Sequence, residues 1–152
     1  MFSLLNFGEF MDAQILDALR KARTVAVVGL SNKLHRPSHR VARYLQEAGY
    51  RIIPVNPYCK EVLNEKCYPD LKSIPEDISI DIVNIFRRAP FTKEVVKEVI
   101  ERSQKTGEKP IIWTQIGASS EEAQRLAEEA GFTYVPNRCL MIEHAHYIGS
   151  PD

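Results

Sequence analysis

The residues of this chain best suited to chemistry are cationic rather than nucleophilic. Between Ala18 and Gln46 lie Arg20, Lys21, Arg23, Lys33, Arg36, Arg40 and Arg43, with no Asp or Glu among them. Over all 152 residues Lys plus Arg and Asp plus Glu each number 20, so the excess is local. Such a cluster offers charge-assisted hydrogen bonds to an anion, and an Arg fork matches paired phosphate oxygens. Ser38, just after Pro37, is placed to cap a helix carrying Val41 and Leu45. That would turn backbone N–H groups and the positive end of the helix dipole toward the same loop. A phosphate or pyrophosphate site is therefore expected around Gly29, Leu30, Ser31, Lys33, Arg36, Pro37 and Ser38. A merely solvated basic face is the competing reading, and position favours the anion site over it, because this loop follows the first strand.

Other chemistry-bearing residues carry less. His35 and His39 are four apart, but Pro37 between them breaks a common helical face, so no metal pair is expected. Glu143, His144 and His146 lack a third ligand, and hydrogen-bonded structural histidines are the better reading. No Gly-x-Ser-x-Gly elbow or Ser/His/Asp order stands out, and no catalytic residue is assigned. Cys59, Cys67 and Cys139 form no CxxC pair and are odd in number, which suits free thiols in a reducing cytosol. Cys139, beside Arg138, is the one thiol whose pKa a neighbour could depress, although inert buried cysteine is commoner. Trp113 and Tyr44 read as packing residues.

The elements that must position these residues follow one grammar. Apolar Met11, Ile15, Leu16 and Leu19 recur at helical spacing, which predicts an amphipathic helix over 11–22. The run 24–28 is continuous and β-branched and ends in Gly29, the pattern of a strand buried on both faces of a parallel sheet. Three helical stretches close on Gly49, Gly107 and Gly131, each followed within a few residues by a strand, over 50–55, 109–114 and 132–135. A further strand is expected over 80–86, before a helix bearing Val95, Val96, Val99 and Ile100. Ser119 with Glu122 reads as a capping box for the next helix. The proline-containing stretch 56–77 leaves room for one short strand near 66–68. Alternating strands and helices of this length predict a single α/β domain, a Rossmann-like, doubly wound parallel sheet of about five strands with flanking helices. A tail and helix over 1–22 precede the body of the domain at 23–150, and whether residues 1–10 are native or a start-site extension before Met11 stays open.

In such sheets ligands bind beyond the carboxyl ends of the strands. Besides the first loop, the residues so placed are Asn56, Pro57 and Tyr58 with nearby Lys60, then Phe86, Arg87 and Arg88. Gln115, Ile116 and Gly117 follow the next strand, and Asn137 and Arg138 follow the last. A dinucleotide fingerprint is missing: the first turn reads Gly29-Leu30-Ser31, and strand two ends on Asn56 rather than an acidic residue. The Gly-x4-Gly-Lys-Ser/Thr loop of NTP-binding proteins is absent too.

At these positions the chain resembles the small CoA-binding protein family, whose domain is similar to the N-terminal CoA-binding domain of the succinyl-CoA synthetase α subunit. The resemblance rests on Val27-Val28-Gly29-Leu30-Ser31, Arg36-Pro37-Ser38, Ile53-Pro54-Val55-Asn56-Pro57, Lys66-Cys67-Tyr68-Pro69, Asp81-Ile82-Val83 and Phe86-Arg87-Arg88. Asn137-Arg138-Cys139 and Glu143-His144 complete it. It implies a Rossmann-like fold with coenzyme A or acyl-CoA across the carboxyl edge. The phosphates would lie by 29–38, the adenosine near 56–60, and Phe86, Arg87 and Arg88 along the path. The synthetase's phosphohistidine domain has no counterpart here, so the resemblance implies binding without that activity, as in a sensor or regulatory module whose protein partner is unknown. Two alternatives stay open: an NADP-linked oxidoreductase with Lys60 or Arg36 on the 2′-phosphate, and a thiol switch in which Cys139 forms a mixed disulfide with CoA.

Composition bounds the remainder. At 44% hydrophobic, 26% charged and zero net charge the chain is ordinary globular material with no broad positive field, and nucleic acid is not an expected partner. The longest apolar run, near 25–30, falls far short of the ~20 residues of a membrane span, and the opening residues lack a basic signal-peptide region. A soluble, cytoplasmic protein is expected.

Overall fold

The computed structural model describes residues 7–150. Helix α1 (Phe7–Lys21) leads into strand β1 (Thr24–Val28), helix α2 (Pro37–Glu47) and strand β2 (Arg51–Val55). A two-residue-strand hairpin, β3 (Glu61–Val62) and β4 (Glu65–Lys66), and a 3-10 turn at Leu71–Ser73 follow. Then come β5 (Ile82–Ile85), α3 (Ala89–Thr106), β6 (Ile111–Thr114), α4 (Glu121–Glu129), β7 (Tyr134–Val135) and α5 (Leu140–Tyr147). The five long-range strands pair in parallel in the order β2-β1-β5-β6-β7. This is the expected doubly wound α/β sheet.

The two-sided apolar runs explain the layering. In β1, Val25 and Val27 face a core with Ile15 and Leu19 of α1, Val41 and Leu45 of α2 and Leu140 of α5. Ala26 and Val28 face the other side, where Val95, Val96 and Val99 of α3 meet Ala123 and Ala127 of α4. With helices on both faces no side of β1 can be polar, and all five of its residues are buried. Gly49, Gly107 and Gly131 follow the helices at φ of 103°, 79° and 88°, the left-handed conformation expected of helix stops.

Several local expectations are corrected. Residues 1–6 lie outside the described residues, and α1 starts at Phe7 rather than Met11, so 7–10 belong to the helix and not to a tail. The N-cap of α4 is Ser120, whose side chain accepts from Ala123 N; Ser119 instead hydrogen-bonds Tyr134 through its hydroxyl. The proline-containing stretch holds the β3–β4 hairpin, and Tyr68 beyond it makes a parallel bridge to Val55.

At the sheet's amino edge, Asp81 accepts from the amides of Arg23 and Thr24 and pins β1 to β5. Behind α3, Arg102 is only 7% exposed: its Nε pairs with Glu108 at 2.7 Å, and its terminal nitrogens donate to the carbonyls of Ile74, Pro75 and Ile78 at 2.6–2.9 Å. This one guanidinium ties down the irregular segment before β5. Replacing Arg102 by Ala should cost about 3–5 kcal/mol of stability by leaving the half-buried Glu108 carboxylate without its cation and three carbonyls without a donor. Urea unfolding measures the loss, and a change below about 1 kcal/mol would show the segment is held by other contacts.

Candidate functional site

Two features of the backbone build a cleft at the carboxyl edge. The strand order puts β1 and β5 side by side while the chain leaves them toward opposite faces, so a crevice opens where they end. Gly29 ends β1 at φ 87°, and a Cβ there would lie 2.3 Å from the Phe86 carbonyl oxygen. Only glycine lets the two strand ends approach so closely. The resulting cleft holds about 620 Å³ and is lined by Gly29, Ser31, Lys33, Arg36 and Ser38 on one side and by Phe86, Arg87, Arg88 and Gln115 to Ala118 on the other. An adjoining cavity of about 440 Å³ shares Gly29, Phe86 and Arg87 and extends over Asn56, Pro57 and Tyr58 toward Phe91.

The first loop is held in place by its own polar groups. Ser38 does not cap α2, because Pro37 takes the first helical position and Arg36 becomes the N-cap. The buried Ser38 hydroxyl accepts from Ser31 N at 3.0 Å, Ser31 Oγ accepts from Lys33 N, and Asn56 Nδ2 donates to the Leu30 carbonyl at 2.9 Å. Asn56 Oδ1 in turn accepts from Tyr58 N. These bonds leave the α2 amides at positions 38 and 39 without a capping side chain.

The same irregularity recurs at α3. Its N-cap is Arg88, again with no side-chain cap and no acidic residue in the first turn. Arginine is a poor choice beside the positive end of a helix dipole, where Ser, Asp and carboxylates are favoured. By contrast α4 has Ser120 as cap and Glu121 and Glu122 in its first turn. Two neighbouring helices thus break the local rule and both do so facing one cleft. Arg87 and Arg88 lie over the Phe91 ring at 5.2 and 5.4 Å, which props both guanidinium groups at the rim. Among the described residues, Lys33, Arg36, Arg87 and Arg88 make no ion pair. Four cations without an ion-pair partner and the first-turn amides of two helices thus face one cleft.

The structure gathers most of the expected residues and sets a few apart. Gly29, Ser31, Lys33, Arg36, Pro37, Ser38, Phe86, Arg87, Arg88, Ile116 and Gly117 line the main cleft, and Asn56, Pro57 and Tyr58 line the adjoining one. Leu30 is fully buried, and only its carbonyl takes part, as the acceptor for Asn56. Lys60 lies outside both cavities. Asn137, at φ 50°, bends the last loop and accepts from Gly117 N and Ser119 N, so it shapes the rim. Arg138 turns away to Asp12 and Glu143 at 3.5 and 3.6 Å. Cys139 is buried at the N-cap of α5, and Tyr44 hydrogen-bonds His144 Nδ1 at 3.0 Å. Burial lowers the pKa of His144, and burial followed by the Arg43 charge lowers that of His39, so both imidazoles favour the neutral form. No group of three or more His, Cys, Asp or Glu among the described residues is arranged to hold a metal ion. No helix among them is long and apolar enough to cross a membrane. Sequence reading missed Phe91, whose signal was an aromatic three residues beyond an Arg-Arg pair.

A five-stranded parallel sheet with helices on both faces and a cleft at its carboxyl edge defines a Rossmann-like α/β fold. Residues 23–145 match the CoA binding domain, and the chain belongs to that family. It is 41% identical over 133 residues, 88% of this chain and 93% of the other, to the uncharacterized protein YneT of Bacillus subtilis. It is 30% identical over 108 residues to an ADP-forming acetate–CoA ligase of Archaeoglobus fulgidus, a match covering 70% of this chain but 15% of the ligase. A hypothetical protein of Pyrococcus horikoshii superposes with TM-score 0.85 at 36% identity, over 98% of this chain and all of that one.

Because Gly29 admits no side chain at its closest approach, Gly29→Ala should lower stability by about 1–3 kcal/mol and push β1 from β5. Thermal unfolding checks this, and an unchanged midpoint would mean the approach to Phe86 is easily relaxed.

Proposed function

We propose that the protein binds coenzyme A or an acyl-CoA in this cleft and acts by binding, without turning the ligand over. The observation that carries the reading is the pair of Arg-capped helix N-termini, α2 and α3, which converge on one crevice at the junction of β1 and β5. CoA has a diphosphate and a 3′-phosphate, and such a ligand relieves the unfavourable cap charges and uses the free amides. Family membership supports the same ligand. The diphosphate would sit between Arg36 and Arg88, and the adenosine in the adjoining cavity beside Asn56 and Tyr58. The ligase relative acts on CoA by its name, yet this chain matches only a small part of its length, and the activity of the whole ligase is not carried over. What the cleft presents is binding groups: cations, backbone amides, Gln115 and apolar Phe86 and Ile116. A sensor or regulatory module in the cytoplasm is the role this chemistry suits.

Calorimetric titration with CoA, NADP and NAD in parallel tests the reading. CoA should bind best, and Arg36→Ala should weaken it by about 1.5–3 kcal/mol through loss of a charge-assisted bond. Tight NADP binding without a response to CoA would overturn the assignment.

A further inference from the structure

We propose that Cys59 and Cys67 are a modification site, a thiol pair that forms one reversible disulfide by exchange with a small soluble disulfide such as oxidised glutathione. The proposal stands apart from the CoA reading.

All three cysteines are free, and the fold brings two of them together. In the β3–β4 hairpin Glu61 pairs with Lys66 and Val62 with Glu65. The ladder runs on past the strand ends, because Cys67 N donates to the Lys60 carbonyl at 2.9 Å. Lys60 thus stands opposite Cys67, and Cys59 is the next residue along. The Cys67 thiol donates to the Asn56 carbonyl at 3.4 Å, and Asn56 N donates to the Tyr68 carbonyl at 2.8 Å. The chain from Asn56 to Lys60, which turns at Pro57 and Tyr58, is therefore fastened to Cys67 and Tyr68 at both ends, with Cys59 inside the span. Both cysteines pack into the core on the α1, α2 and α5 side of the sheet. A disulfide joins Cα atoms about 4.4–6.8 Å apart, a range that includes the ~5.5 Å of paired residues on antiparallel strands. Cys139 follows β7, at the opposite edge of the sheet from β2 and its hairpin.

The two thiols differ in a way that orders the steps. Cys67 is buried, and burial first and the neighbouring Cys59 second push its thiol up, against the pull of the bond to Asn56. Cys59 is half-buried and is the thiol that a small disulfide reaches. Its thiolate attacks one sulfur of the small disulfide; a mixed disulfide on Cys59 forms as the small S–S bond breaks, and one small thiolate leaves and takes up the proton that Cys59 lost. The Cys67 thiolate then attacks Cys59 Sγ. The Cys59–Cys67 bond forms, the mixed bond breaks, and the second small thiolate leaves with the proton from Cys67. Two protein thiols are oxidised to one disulfide, and one small disulfide is reduced to two thiols. The new bond replaces the thiol's hydrogen bond to the Asn56 carbonyl and ties down the turn of Asn56 and Tyr58, which wall the adjoining cavity.

The test incubates the full chain, without denaturant, with oxidised glutathione and reads intact mass and tryptic fragments. The protein should lose the mass of two hydrogens, and dithiothreitol should restore it. Trypsin cuts after Arg51, Lys60, Lys66 and Lys72, so fragments 52–60 and 67–72 should be recovered joined. Cys67→Ser should stop at the first step and keep glutathione on Cys59. Cys59→Ser changes only a half-buried side chain and should abolish the joined fragments, which keeps the test decisive if the other variant does not fold. An unchanged wild-type mass, glutathione that stays on wild-type Cys59, or a link through Cys139 would overturn the proposal. None of these outcomes bears on CoA binding by the reduced protein.

Discussion

The close approach of Gly29 to the Phe86 carbonyl is the constraint on which the rest of the structure depends. It draws the carboxyl ends of β1 and β5 together at the point where the chain departs to opposite faces. The Ser31 to Arg36 loop and α2 hang from one of those ends, and Arg87, Arg88 and α3 from the other. A side chain at Gly29 would separate them, and the amides of the two helices would no longer face one crevice.

Around that junction the structure departs from local rules in a consistent direction. Helix α4 opens on a Ser cap with two acidic residues in its first turn, whereas α2 and α3 begin with Arg and lack acidic residues there. Such choices are unfavourable taken alone and become favourable once an anion is shared between them, which is how binding sites differ from the scaffold that supports them. The scaffold is tied down elsewhere too, through the buried Arg102 network and the Asp81 bonds at the opposite edge.

Much of this was legible in the residues. The buried β-branched run of β1, the three glycine helix stops and the local absence of acidic residues pointed to a parallel sheet of about five strands and to the cationic first loop. Boundaries and caps were less so, because Pro37 and its neighbour Arg36 compete with Ser38 for the start of α2, and Ser119 and Ser120 are chemically alike. Long-range pairing was out of reach: nothing near Arg138 in the chain indicates that Asp12, 126 residues away, would turn it from the cleft.

The most direct measurement is a crystal structure of the protein grown with saturating CoA. The diphosphate should lie between the first turns of α2 and α3, within hydrogen-bond distance of their amides and of Arg36 or Arg88. Density for CoA elsewhere on the surface, with these amides facing solvent, would contradict it.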